Sequence, residues 1–198
     1  MSAPPVILAS GSAIRLQLLR AAGVMCSARR PTADEDQLKQ HYAALPPASL
    51  ALALARDKAL SSSRTETSAL VIGADQVLNF HGRPYGKPAD LDEARARLRA
   101  MRGARHILET AVCCAVAGSI VWSHLSQPEL LMRACSDHFL DNYLAQAGPV
   151  ILASAGAYQL EHQGIQLFER IDGDYFAILG LPLLPLLQFL RESGVLMP

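Results

Sequence analysis

At 198 residues, with 51% apolar content and 18 basic residues balanced by 18 acidic ones, the chain suits one compact domain or two closely joined lobes, with enough core to need no covalent staples. A formal net charge of zero excludes the global positive field that recruits nucleic acid, so an anionic ligand would need a local basic cluster. The four cysteines, Cys26, Cys113, Cys114 and Cys135, lack CxxC or zinc-like spacing; the adjacent Cys113 and Cys114, on an apolar strand-like run, read as small core residues, and a reducing cytoplasm fits.

No basic region precedes the short apolar run that opens the chain, so neither a signal peptide nor a membrane anchor is expected. Val6 to Ala9 reads as a strand, Ser10-Gly11-Ser12 as a loop, and the recurrence of Leu16, Leu19 and Ala22 as one face of a helix stopped by Gly23. Ser10 and Ser12 would sit at that helix's N-terminus, a place that suits either a phosphate or a simple N-cap; no Walker pattern follows to decide between them. The run Asp34-Glu35-Asp36 reads as a solvated turn, and a helix from about Ala48 to Leu60 carries Lys58, which local pattern alone makes a solvated side chain.

The segment Val71 to Leu78 is the most informative. An aliphatic run that holds Asp75 predicts a buried strand ending on a carboxylate that faces a metal or a cation, because an unpartnered buried ion costs several kcal/mol. A lone aspartate opening a turn is the plainer alternative. Gly82 to Pro88 then delivers Lys87 from a glycine-flanked loop. Asp90 caps a helix from Leu91 to Met101 whose arginines read as an exposed face. His106 to Val121 reads as a hairpin turning at Gly118-Ser119, followed by a strand from Glu129 to Cys135 and a helix from Asp137 to about Gly148. His106 is given a structural role. Ala155 to Glu161 could bring backbone close to a planar ligand, but a packed strand pair with Tyr158 and Phe168 in the core is the favoured reading. The leucine-rich tail, Ile178 to Leu190, is broken by Gly180, Pro182 and Pro185, too often for a membrane span, and reads as a buried strand running into a helix.

Seven ordered blocks together resemble the Maf proteins, nucleoside triphosphate pyrophosphatases once described as septum-formation inhibitors. They are Leu8-Ala9-Ser10-Gly11-Ser12 with Arg15 and Leu18-Leu19, Asp34-Glu35, Leu54-Ala55 with Lys58-Ala59, Gly73-Ala74-Asp75, Gly86-Lys87-Pro88, Ala155-Gly156-Ala157-Tyr158, and Gly180-Leu181-Pro182. The resemblance spans nearly the whole chain and implies one α/β domain over residues 1–198. Its long, twisted, mixed sheet would be flanked by helices, forming two lobes about a central cleft, as in the inosine-triphosphate pyrophosphatases.

It also implies roles. Asp75 would be the proton acceptor and metal-associated carboxylate, Glu35 a second ligand of a divalent cation such as Mg²⁺ or Mn²⁺, and Lys87 a catalytic cation. Ser10, Ser12, Arg15 and Lys58 would bind the triphosphate. Splitting a nucleoside triphosphate into monophosphate and pyrophosphate needs an activated water and cations for the leaving group, and these residue types supply both. Three positions depart from the commonest pattern of the family at places it uses to choose a base: Ile14, where Arg is usual, Gln76, where Thr is usual, and Glu161, where Gln is usual. Gln76, Glu161 and the stretch Gly164 to Arg170 resemble the branch acting on 7-methyl-GTP, while UTP, CTP and dTTP stay open. The resemblance further implies a homodimer, while the balanced charge and the interrupted apolar runs predict no nucleic-acid or membrane partner. A non-hydrolysing nucleotide-binding regulator of septum formation, and an enzyme of the inosine-triphosphate type, are the competing classes.

Overall fold

A computed structural model describes residues 4–31 and 35–197, the side chains of residues 35, 36 and 39 excepted. The chain alternates strand and helix through its first half. β1 (Val6–Ala9) is buried throughout, and Ser12 caps α1 (Ala13–Ala21) by accepting the Arg15 backbone N–H. β2 (Cys26–Arg29) and α2 (Glu35–His41) follow, then α3 (Pro47–Ser63), which starts on the proline whose missing N–H a first turn does not need. β3 (Leu70–Phe80) turns through His81 and Gly82, both at positive φ, into β4 (Arg83–Tyr85), the backbone twist a two-residue hairpin requires. Asp90 caps α4 (Leu91–Met101) as the sequence predicts. β5 (Arg105–Val116) and β6 (Ser119–Ser126) form the expected hairpin, and β7 (Glu129–Met132) precedes α5 (Asp137–Ala147), capped by Ser136. β8 (Phe168–Asp172), the single-turn α6 (Tyr175–Ile178) and α7 (Leu183–Glu192) complete the chain.

These strands form one mixed sheet whose spine is the antiparallel pair β3 and β5, in register from Val71↔Ala115 to Asn79↔Ile107. The sheet forks around that spine. The outer edge of β3 pairs with β1 as far as Ala9↔Gly73 and with β4 from Leu78↔Tyr85 onward, so no strand among the described residues covers Ala74 to Val77 there. β5 forks likewise, carrying β7 at Arg105 to Ile107 and β6 from Thr110 to Val116.

Side chains alternate across a strand, and that sorts the core. On one face of β3, Leu70, Ile72 and Ala74 pack with Leu19 of α1 and with Leu183, Leu186 and Leu190 of α7. Further along the same face, Leu78 and Phe80 join a separate core with Leu98 of α4, Leu140 and Tyr143 of α5, and Tyr158. Gln76 falls between the two cores. The opposite face packs α3, with Leu54, Ala55 and Ala59 against Val77, Ala111 and Cys113.

Four expectations are corrected. Asp75 does not end its strand: it lies at the middle of β3, which continues to Phe80 because β5 remains paired with it while the outer partner changes. The tail contains no strand; Gly180, at φ +98, and Pro182 separate a single helical turn from α7. Tyr158 and Phe168 are in contact, with ring centroids 4.7 Å apart, but Tyr158 belongs to an irregular stretch and only Phe168 to a strand. The arginines of α4 do not all face solvent, since Arg97 is 7% exposed. No helix of the described residues is long and apolar enough to cross a membrane, and the four cysteines are free thiols.

Candidate active site

The bare stretch of β3 is where polar side chains collect. Asp75 is only 6% exposed and points to the α3 face, where Lys58 Nζ lies 2.5 Å from its Oδ1. That contact depends on Gly73. A Cβ there would stand 2.3 Å from the Ala55 carbonyl oxygen and 2.5 Å from the Ala59 nitrogen, so only glycine lets α3 lie this close to β3. Lys58, flanked by Ala55 and Ala59 on the helix, is thereby brought under the carboxylate. Lys58 is thus buried and ion-paired, not solvated as its local pattern suggests; one carboxylate oxygen of Asp75 is fixed by a cation and Oδ2 is left to accept or ligate.

Next to Asp75 along the edge, the Ala74 carbonyl lies just beyond the end of β1. Arg15, half-buried on α1, donates to it through Nη1 at 2.8 Å and to the Gly180 carbonyl through Nε at 2.7 Å. The same Nη1 lies 3.4 Å from Ser10 Oγ, which also accepts the Ser12 N–H at 3.1 Å. Arg15 therefore binds the serine loop, β3 and the Gly180 turn into one unit. Of the predicted serines, Ser10 is buried beside this guanidinium and Ser12 is the cap of α1.

Gln76 points to the other face. Its Nε2 lies 2.9 Å from Thr110 Oγ1, 2.9 Å from the Ala177 carbonyl and 3.1 Å from the Ile178 carbonyl. Two backbone carbonyls demand a donor, so the amide nitrogen belongs there and Oε1 is the acceptor turned elsewhere. Ile14 is half-buried in the first turn of α1, Lys87 is exposed in the loop after β4, and Glu161 is exposed in the turn after Tyr158. Glu35 opens α2, and its side chain lies outside the described residues.

His106 is structural, in keeping with the sequence reading. It is 2% exposed, its Nε2 lies 2.8 Å from the Tyr158 hydroxyl, and burial pushes its imidazole down to about 4, which keeps it neutral. Burial likewise pushes the Tyr158 hydroxyl up. Two further polar residues of β5 are buried. Thr110 donates to the Ala177 carbonyl at 3.0 Å while receiving Gln76. Glu109 accepts from Asn79 at 2.8 Å and Gln127 at 2.9 Å. Only the period-two alternation of β5 could have signalled that Glu109 faces inward.

Among the described residues no group of three or more His, Cys, Asp or Glu side chains is placed to hold a metal. Asp75, the carboxylate that the described residues place at the bare edge, suits a hard cation that takes one or two protein oxygens and its remaining ligands from substrate phosphates and water.

The family model for Maf-like proteins matches residues 5–193, and the chain belongs to that family. A 7-methyl-GTP pyrophosphatase of Rhizobium meliloti is 48% identical over 195 residues, 98% of each chain. A nucleoside triphosphate pyrophosphatase of Granulibacter bethesdensis is also 48% identical, over 96% of this chain and 98% of its own. A second 7-methyl-GTP pyrophosphatase, from Rhizobium johnstonii, is 43% identical over 98% of both. The chain is accordingly an enzyme, a hydrolase acting on acid anhydrides.

Proposed function

We propose that the chain hydrolyses nucleoside triphosphates between the α and β phosphates, releasing a nucleoside monophosphate and pyrophosphate, and that 7-methyl-GTP is its preferred substrate. The observation that carries the reading is the buried Lys58–Asp75 pair at the bare edge of β3. Asp75 Oδ2 accepts a proton from the water that attacks the α phosphorus. As the new P–O bond forms, the bond from that phosphorus to the bridging oxygen breaks, and pyrophosphate leaves with the electron pair. Lys58 holds Oδ1, so the carboxylate meets the water in one orientation. Arg15, anchored on two carbonyls, and Lys87, in its exposed loop, neutralise the phosphate charge, with Ser10 and Ser12 lending the helix N-terminus. A divalent cation, held by Asp75 and Glu35, would supply Lewis-acid stabilisation of the phosphoryl oxygens.

The base preference rests on two acceptors. Oε1 of Gln76 and the carboxylate of Glu161 match the two donors of guanine, N1–H and the 2-amino group, and a carboxylate favours a ring made cationic by methylation. The relatives carry both names, which is what a shared chemistry with divergent base choice would give. Four free cysteines suit action in the cytoplasm.

Pyrophosphate release from 7-methyl-GTP, GTP, UTP, CTP, dTTP and ITP, each with EDTA or with Mg²⁺ added back, tests this. The expected outcome is metal-dependent turnover that is fastest with 7-methyl-GTP. Binding without turnover of any nucleotide would replace the enzyme with the regulator.

A further inference from the structure

We propose that Arg97, which lies outside the site described above, is a positioning residue that sets the spacing between the loop carrying Lys87 and the loop carrying Glu161. Its neighbours Arg95 and Arg99 on α4 have side chains 42% exposed, whereas the Arg97 side chain is 6% exposed. The guanidinium reaches two separate loops. Nη1 donates both to the Gly86 carbonyl, immediately before Lys87, and to the Ala155 carbonyl, which opens the turn leading to Glu161. Nη2 donates to Glu93 Oε1 at 2.6 Å, and Cζ stands 5.3 Å from the centroid of the Tyr85 ring.

Glu93 completes the grip. Its other oxygen accepts the Ala89 N–H at 2.8 Å. The four residues from Gly86 to Ala89 are thus held at the first carbonyl by Arg97 and at the last amide by Glu93. Lys87 projects to solvent between them. On the second loop the backbone is equally committed. A Cβ on Gly156 would stand 2.1 Å from the Tyr158 ring, Ala157 adopts φ +56, and the Tyr143 hydroxyl donates to the Ala157 carbonyl at 3.3 Å. Arg97 thus bonds to both loops.

Stability does not account for this arrangement. Burying a guanidinium is costly, and an unbranched apolar side chain would fill the same space. Nε has no hydrogen-bond partner among the described residues, so even the buried cation is incompletely satisfied. What a rigid planar fork supplies, and an apolar side chain does not, is fixed geometry between two carbonyls that belong to different loops. Resting on the functional reading above, those loops touch opposite ends of one nucleotide: Lys87 meets the phosphates and Glu161 the base. Arg97 couples base recognition to phosphate placement.

The test compares wild type, Arg97→Met, Arg97→Lys, Lys87→Ala and the double variant Arg97→Met with Lys87→Ala. Each is assayed for pyrophosphate release from 7-methyl-GTP and GTP, with hydrogen exchange of residues 86–89 and 155–161 measured alongside. Arg97→Met is expected to lower kcat/KM on the order of 10- to 100-fold, to reduce the preference for 7-methyl-GTP, and to add little once Lys87 is gone. Arg97→Lys, which keeps the charge but not the fork, should recover only part. Both loops should lose protection together. Wild-type kinetics in Arg97→Met, or losses that multiply independently in the double variant with the base preference intact, would overturn the proposal. If Arg97→Met fails to fold, Arg97→Lys carries the same comparison. If wild type turns over no nucleotide, the functional reading fails, and hydrogen exchange still decides the clamp: opening of one loop without the other refutes it.

Discussion

Gly73→Ala tests how the fold builds the Lys58–Asp75 ion pair. The new methyl would meet the Ala55 carbonyl oxygen at 2.3 Å, where ordinary contact begins at 3.4 Å, so α3 must retreat by about 1 Å. Moved with it, Lys58 Nζ would stand ~3.5 Å from Asp75 instead of 2.5 Å, beyond a good charge-assisted hydrogen bond. Overpacking of this kind destabilises by about 1–3 kcal/mol, and a 1 Å displacement of a positioning group costs on the order of 10²-fold in rate. Urea unfolding followed by circular dichroism measures the first, and pyrophosphate release under saturating substrate measures the second. A Gly73→Ala protein with both wild-type stability and wild-type kcat would refute the claim that close approach of α3 sets the Lys58–Asp75 contact.

Two further outcomes follow from the geometry. The imidazole of His106 falls from 6.5 to about 4 on folding, so its contribution to stability is complete above pH 6.5 and is lost as pH drops towards 4. The loss amounts to about 3 kcal/mol, and His106→Gln should flatten that part of the pH profile in urea titrations; an unchanged profile would remove His106 as its source. Glu161→Gln should reduce the ratio of kcat/KM for 7-methyl-GTP over GTP by about 3- to 10-fold. An unaltered ratio would show that the Glu161 carboxylate does not select the methylated base.

The features legible in the sequence were those encoded locally. Ser12 and Asp90 cap the helices they announce, and the apolar pair Cys113 and Cys114 lies in a buried strand as its pattern requires. The position of Asp75 within its strand was not legible, because β3 continues through it on the strength of β5 alone, a pairing made by residues 36 positions away at Ala111. Lys58 looked solvated because its partner lies on another element and is reached only through the Gly73 contact. Arg97 looked exposed because a helix rich in arginine gives no local sign of which one is turned inward against two loops. The tail misled for a different reason: Ile178 to Leu190 is apolar enough for either strand or helix, and the positive φ of Gly180 decides where the chain breaks.

The most direct test of the account is Asp75→Asn, assayed for nucleoside monophosphate and pyrophosphate from 7-methyl-GTP with Mg²⁺, with circular dichroism to establish that the fold is kept. Loss of the proton acceptor and of its charge should lower kcat on the order of 10³-fold or more. A folded Asp75→Asn protein that releases pyrophosphate within tenfold of the wild-type rate would contradict the central claim.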